Sequence, residues 1–444
     1  MTPAEALAAL RAETTIPDLA ARRDMLHRLD RMMVRRAEEI ATALDADYGG
    51  RSRIETMLAD VILVADCARH ARRHLARWAR PKRHAVSFPF QPGGARVECV
   101  PKGVIGIMAP WNYPFQLALL PAIDAIAAGN RVVIKPSELL PRSAALIAEI
   151  LAEAPGPGFA RVVQGGPDIA ADFASQPWDH LVFTGGTETG RRVMRAAAEH
   201  LTPLTLELGG KCPVLVLPGA NLARAAREIL VGKAINAGQT CIAPDTVLLV
   251  GHSRADFTAA CRATAIAVPE TALASDEQSA RMERLAEGAQ LTQLGPDRGL
   301  RHRAIALAEA PDGHPLLAEE VFGPILPVVE AGDLAAALHW MAARPAPLAV
   351  YLFGETGAEA ASVAAVARTG AIVSGRCVEQ AAIPGLGFGG LGASGFGRYR
   401  GEAGFREFSN QRVRMWRGGW SLSRLFDEPR GSWAEKIISR LLRQ

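Results

Sequence analysis

From about residue 103 onward, short and continuously apolar runs alternate with segments of helical periodicity. Gly103–Met108, Arg131–Lys135, Arg161–Gln164, Asp179–Thr184 and Leu204–Leu208 read as strands. Phe115–Ala128, Ser143–Glu153 and Glu188–His200 read as the helices between them. Strands that are apolar on both faces predict a parallel sheet covered on both sides, because only crossover helices can shield both faces. A second set follows: strands at Val214–Leu217, Thr246–Val250, Ile325–Val329 and Ala349–Phe353, with helices at Leu222–Ile235, Ala255–Ile266 and Leu334–Ala342. The expectation is an α/β chain of two doubly wound lobes, with the boundary near Glu207–Lys211. Glu270–Pro315 is less regular and is left without elements.

Ahead of this pattern, Leu26, Leu29, Met33, Ala37, Ile40 and Leu44 recur at three- and four-residue steps, a core-facing helical stripe. His84–Val100 carries Pro89, Pro92, Gly93 and Gly94 between strand-like runs and reads as a hairpin. The chain has 444 residues, 49% hydrophobic and 22% charged, which excludes disorder as its main state. A formal charge of +4 is too balanced to argue for nucleic acid. None of the six cysteines forms a C-x-x-C pair, so neither a metal site nor a disulfide framework is expected. Met1–Arg11 contains Glu5 and no long apolar run, and no stretch of about 18 apolar residues occurs, so the expected compartment is the cytoplasm.

Four segments at strand ends carry chemistry. Ala109-Pro-Trp-Asn-Tyr-Pro114 and Val133-Ile-Lys-Pro-Ser-Glu138 lie where open parallel sheets bind ligands. Phe183-Thr-Gly-Gly-Thr-Glu-Thr-Gly190 joins a strand, a glycine turn and a helix start, whose free N–H groups suit a pyrophosphate. Leu206-Glu-Leu-Gly-Gly-Lys211 ends a strand with a carboxylate, and Asn236-Ala-Gly-Gln-Thr-Cys-Ile-Ala243 places a cysteine in a turn before another strand. Taken singly, each has a plain structural explanation: a turn, a connection, a capping acid, a small buried thiol.

Together, and with Glu319-Glu-Val-Phe-Gly-Pro324 and Gly387–Gly397, these segments resemble the aldehyde dehydrogenase superfamily. They are most similar to its class-3 type and the bacterial coniferyl-aldehyde dehydrogenase branch. The resemblance implies a cofactor-binding lobe over residues 1–207, interrupted by an oligomerisation hairpin at about 84–102. It implies a catalytic lobe over 208–386 and a C-terminal oligomerisation region with a tail helix over 387–444. It implies oxidation of an aldehyde to the carboxylic acid, with Cys241 as nucleophile, Glu207 as the base that activates water, and Asn112 with the Cys241 N–H as oxyanion donors. Lys135 and Glu138 would hold the adenosine ribose, Gly185 and Gly190 the pyrophosphate turn, and Trp111, Glu320 and Phe322 the nicotinamide end. Glu138 suits a free 2′-hydroxyl and so favours NAD, with NADP also accepted. The implied assembly is a homodimer, the implied substrate an aromatic or hydrophobic aliphatic aldehyde.

Two other readings stand beside it, a silent scaffold on the same fold and an acylating enzyme that passes the thioester to CoA. Retention of Cys241, Glu207 and Asn112 opposes the first, and Glu207 opposes the second. Lys211, beside Gly209-Gly210, is read as structural. The two G-x-G-x-x-G matches at 385–395 lack a following helix and read as a flexible turn near the substrate entrance. Ser432-Trp-Ala-Glu435 fits a capping box, and Trp433, Ile437, Ile438, Leu441 and Leu442 form an apolar stripe, expected to dock on protein rather than on a membrane surface. The chain departs from the family pattern at Gly186 (usually Ser), Gly387 (usually Pro) and Ser374 (usually near an Asn), and Glu287–Pro315 looks short.

Overall fold

In a computed structural model, which describes residues 1–420 and 422–443, the strands form three sheets. The first has six strands in the order 395–396, 204–208, 180–185, 104–108, 131–135, 160–162. All neighbours are parallel except Gly395–Phe396, which runs antiparallel to the 204–208 strand. The chain winds outward from Val104–Met108 through Arg131–Lys135 and then returns to add strands on the other side. The order therefore reverses between Val104–Met108 and His180–Gly185, and the loops after those two strands flank the crevice where such sheets bind ligands.

The second sheet has seven strands in the order 290–293, 306–309, 325–331, 246–250, 213–216, 349–353, 371–374, parallel except at its first pair. The third is antiparallel and joins Lys82–His84 and Gly93–Pro101 to Ser409–Arg417. The predicted hairpin is thus two strands of a three-stranded sheet. Its third strand comes from the C-terminal region, a long-range pairing that no local pattern announces.

Pro114–Ala128 is buried at every position, because it lies between the first sheet and the N-terminal helices, and Gly129 stops it in the left-handed conformation (φ 94°). The N-terminal stripe falls on two helices, Leu19–Arg35 and Ala37–Tyr48, and Leu26, Leu29, Met33, Ile40 and Leu44 are fully buried. The long helix that follows, to Trp78, contains a π-helical turn at Thr56–Ile62. Turns of this type are frequent at functional sites, and this one brings Asp60 into the core.

Three expectations are corrected. Glu270–Pro315 contains a helix, Asp276–Ala286, and two strands at Gln290–Gln293 and Ala306–Glu309. The strands are short, and only the second is mostly buried, so their periodicity is weak. The glycine-rich run at 385–401 is a packed strap rather than a loose turn. A Cβ on Gly395 would lie 1.9 Å from the Leu206 carbonyl oxygen, and one on Gly390 2.2 Å from that of Ser394. The tail helix begins at Ser432, with Gly431 as its N-cap and no side-chain cap, so the capping box is not formed. Of that helix only Ala434 is buried, and Trp433, Ile438, Leu441 and Leu442 are exposed, so the stripe does not dock on its own chain.

Candidate active site

The turn that carries Cys241 is built from backbone that most residues avoid. Asn236, Ala237 and Gly238 are consecutive left-handed residues, with φ of 52°, 52° and 74°. Each non-glycine residue held there costs on the order of 1–3 kcal/mol, so the surroundings must over-determine the turn. They do. The Asn236 N–H donates to Glu55 Oε2 (3.0 Å), and its side-chain amide donates to the carbonyls of Asn112 (3.0 Å) and Gln239 (3.1 Å). The Gln239 amide donates to Asn236 and Ala272 carbonyls, both at 3.0 Å, and accepts from Ala274 N–H at 2.9 Å. At Gly238 a Cβ would sit 2.4 Å from the Gly323 carbonyl oxygen, so only glycine fits.

The same network fixes Asn112. Its carbonyl accepts from Tyr48 Oη–H (3.1 Å) and from Arg51 (3.1 Å) as well as from Asn236. Its side-chain Nδ2 donates to the Gln239 carbonyl at 3.1 Å, which aims the amide at the Cys241 turn. Arg51 and Asp60 are fully buried and paired at 3.2 Å, Arg51 also donates to Asn236 Oδ1, and Asp60 accepts the Gln116 N–H at 3.1 Å. Arg51, Asp60, Asn236 and Gln239 were not singled out from sequence; a lone arginine or aspartate in a helical segment carries no signal until its burial is known. Arg51→Met leaves Asp60 buried and unpaired, and is expected to destabilise the fold by about 3–5 kcal/mol. Urea unfolding checks this, and a loss under about 1 kcal/mol, the level of an exposed pair, would refute it.

Two cavities meet at Cys241. The first is apolar and is lined by Tyr113, Leu117, Ile242, Phe388, Glu55 and Arg400, among others. The second is more polar and is lined by Trp111, Asn112, Gly185, Gly186, Glu207, Glu320 and Phe322, among others. Cys241 is half-buried and borders both. Burial pushes its thiol up to about 12; Glu320 and Glu207 push the same way, and Arg400 opposes them. Behind the turn, the Cys241 carbonyl accepts from Cys212 Sγ at 3.4 Å.

Glu207 lies opposite Gly395 in the strand pairing and is 2% exposed. Neither of its carboxyl oxygens has a hydrogen-bond partner. Burial raises its pKa well above the ordinary carboxylate value, with Arg400 and Arg398 opposing. An unsatisfied buried carboxyl of this kind is poised to take a proton.

The second cavity suits a dinucleotide. Gly186 begins the Thr187–Ala198 helix without a side-chain cap, and nothing lies within 4 Å of where its Cβ would be. That leaves helix-start N–H groups and room for a phosphate. Gly190 is needed for packing, since a Cβ would lie 2.7 Å from Leu208. At the adjacent strand end, buried Lys135 donates to exposed Glu138 at 2.8 Å. At the other end Trp111 and Phe322 meet edge to face at 5.5 Å. Glu320 Oε1 has no partner, and burial, aided by Asp245, pushes its carboxyl up to about 8. Lys211 is structural: it pairs with Asp245 and donates to the Leu316 (2.6 Å) and Glu319 (3.0 Å) carbonyls, which anchors the segment carrying Glu320. Among the described residues no cluster of three or more metal-ligating side chains occurs.

Residues 4–413 match the model of the aldehyde dehydrogenase family. Among curated relatives, the coniferyl aldehyde dehydrogenase of a Pseudomonas species is 40% identical over 87% of this chain and 84% of its own length. Aldehyde dehydrogenase family 3 member H1 of Arabidopsis thaliana is 33% identical over 85% of this chain and 81% of its own. Among solved structures, the substrate-bound state of Staphylococcus aureus AldH superposes with a TM-score of 0.93 at 29% identity, covering 99% of both chains. PnpE in complex with nicotinamide adenine dinucleotide superposes with a TM-score of 0.86 at 26% identity, covering 94% of this chain and 90% of its own.

Proposed function

Because this chain belongs to the aldehyde dehydrogenase family, whose members oxidise aldehydes with NAD or NADP, we propose that it oxidises an aryl-conjugated aldehyde such as coniferaldehyde to the acid, through a thiohemiacetal and thioester on Cys241. The observation that carries this reading is the shared border at Cys241 of an apolar cavity and a more polar one that reaches Gly185 and Gly186 at the start of the Thr187–Ala198 helix. Similarity to the Pseudomonas coniferyl enzyme supports the substrate class.

In this reading the aldehyde enters the apolar cavity, which Tyr113, Leu117, Ile242 and Phe388 line. The Cys241 thiolate attacks the carbonyl carbon, and the oxygen takes negative charge. The Asn112 amide and the Cys241 N–H donate to it, a contribution worth about 3–4 kcal/mol per donor. When bound, the nicotinamide cofactor supplies the acceptor for the hydride that leaves the thiohemiacetal carbon. Glu207 then takes a proton from water as it attacks the resulting thioester, which releases the acid and the thiol. Lys135 and Glu138 would hold the adenosine ribose, the N-terminus of the Thr187–Ala198 helix the pyrophosphate, and Glu320 and Phe322 the nicotinamide end. The carboxylate of Glu138 repels a 2′-phosphate, so NAD is the preferred cofactor. Residues 1–207 form the cofactor lobe and 208–386 the catalytic lobe. The Ser409–Arg417 strand exposes Val413, Met415 and Trp416 and joins the hairpin as the surface that binds a second copy. Among the described residues no helix is long and apolar enough to cross a membrane.

The test is formation of reduced nicotinamide with coniferaldehyde, benzaldehyde and octanal, each with NAD and NADP. The expected order places coniferaldehyde with NAD first in kcat/KM. Octanal ahead of both aromatic substrates would replace the aryl reading with an aliphatic one, and NADP ahead of NAD would refute the role given to Glu138. Turnover only in the presence of CoA would favour the acylating alternative.

A further inference from the structure

The wall of the aldehyde cavity is mostly apolar, with Leu58, Leu63, Leu117 and Ile242 among its residues. Three of the polar side chains that border it are bonded within the protein. The Tyr113 and Thr240 hydroxyls lie 2.7 Å apart and bond to each other. Arg400 donates to the Ala381 carbonyl, and its guanidinium lies 4.6 Å over the Phe388 ring. Glu55 and Gln116 border the same cavity and are different, because each keeps a polar atom that no protein group claims.

Glu55 ends the short helix Arg53–Glu55 and is half-buried. Its two hydrogen bonds, from the Asn236 N–H at 3.0 Å and the Thr271 hydroxyl at 2.6 Å, both fall on Oε2. Asn236 belongs to the Cys241 turn, so the carboxyl is held in a fixed place beside that turn. Among the described residues nothing donates to Oε1, and that oxygen is not closed off from the space around it. Gln116 lies in the first turn of the Pro114–Ala128 helix, and its backbone N–H is fixed by Asp60 Oδ1 at 3.1 Å. The residue is 7% exposed. Its carboxamide has no partner among the described residues, yet neither polar atom is closed off. The helix is buried at every position, so the cavity is the space to which this amide opens.

An acceptor and an amide left without partners in an apolar cavity are costly unless a ligand brings the complementary groups. Apolar walls with a few fixed polar atoms are also how pockets set a ligand's orientation. We infer that Glu55 and Gln116 are specificity-determining residues that read a hydroxyl on the aryl ring of the substrate. The hydroxyl donates to Glu55 Oε1, and the Gln116 amide donates to the oxygen substituents of the ring. A hydroxyl fits because it both donates and accepts, whereas an ether has no proton to give Oε1. The inference rests on the reading that the aldehyde occupies this cavity, and it narrows the substrate class to aryl aldehydes with a free phenol.

The test compares kcat/KM, with NAD, for coniferaldehyde, its methyl ether and cinnamaldehyde, which lacks the ring substituents. Wild type is expected to favour coniferaldehyde over the other two by about tenfold or more. Glu55→Gln keeps an oxygen for Asn236 and Thr271 and puts an amide NH2 where the open oxygen stood. It should lower coniferaldehyde oxidation about 10- to 100-fold, chiefly through KM, and leave cinnamaldehyde within about threefold of wild type. Gln116→Leu should cost coniferaldehyde about three- to tenfold and spare cinnamaldehyde in the same way. A role confined to holding the Cys241 turn would lower all three aldehydes together, and that result overturns the proposal. So does a wild type that treats coniferaldehyde and cinnamaldehyde alike, a comparison that needs no variant to fold. A wild type that oxidises octanal but none of the aryl aldehydes sinks the substrate reading itself, so the two failures are distinguishable.

Discussion

Cys241→Ala is expected to abolish aldehyde oxidation, by at least about 10⁴-fold in kcat, while NAD binds with unchanged affinity. No other side chain can take over the attack. Of the five remaining cysteines, Cys212 is fully buried behind the turn and is spent on the Cys241 carbonyl, Cys67, Cys261 and Cys377 are buried elsewhere, and half-buried Cys99 lies in the Gly93–Pro101 strand and borders neither cavity. The cofactor groups owe nothing to the thiol, since Lys135 is held by Glu138 and the Thr187–Ala198 helix starts at Gly186 without a side-chain cap. Calorimetric titration with NAD beside steady-state kinetics separates the two effects. Residual turnover above about one part in a hundred would mean that the carbonyl carbon is attacked by something else.

Glu207→Gln is expected to stop the second half of the reaction and spare the first. Steady-state turnover should fall about 10²- to 10⁴-fold. A rapid-mixing experiment should still show a burst of about one reduced nicotinamide per active site, because addition of the thiolate to the aldehyde and loss of hydride from the thiohemiacetal need no base at Glu207. The amide fits where the carboxyl sat and brings no charge. The sign of the pH effect follows from the raised carboxyl pKa: the base form is scarce in acid and grows as pH rises, so wild-type deacylation should climb with pH above the range in which an ordinary carboxylate titrates. In the Gln variant that climb should disappear. Loss of the burst together with turnover would show that Glu207 acts before thioester formation. A full burst with a wild-type steady state would show that another group activates the water.

Much of the frame could be read directly from the chain. Apolar runs such as Val104–Met108 and Thr246–Val250 are buried on both faces, so they lack polar alternation and announce a covered parallel sheet. Elements failed to appear where the determinant is distant. Ser409–Arg417 is a strand because Gly93–Pro101 offers it a ladder, and most of its side chains are exposed. Asp276–Ala286 is capped by Ser275, but its burial on one side only left it among irregular segments.

The site divides in the same way. Strand ends and glycine turns at helix starts could be read locally, and the family that those segments together resemble nominated Cys241, Glu207, Asn112 and the cofactor contacts. Whether those groups share one space is a matter of how two sheets and a strap close on each other, and only the tertiary structure decided it. It placed Cys241 on the wall between two cavities and left Glu207 without a partner. It built the support for Asn112 from Arg51 and Asp60, whose role depends on being buried together, and it turned Arg400 inward from a glycine-rich run. A sequence lists charges but not the dielectric around them. Burial converts an ordinary glutamate such as Glu207 into a carboxyl poised to take a proton, and burial is a property of the folded whole.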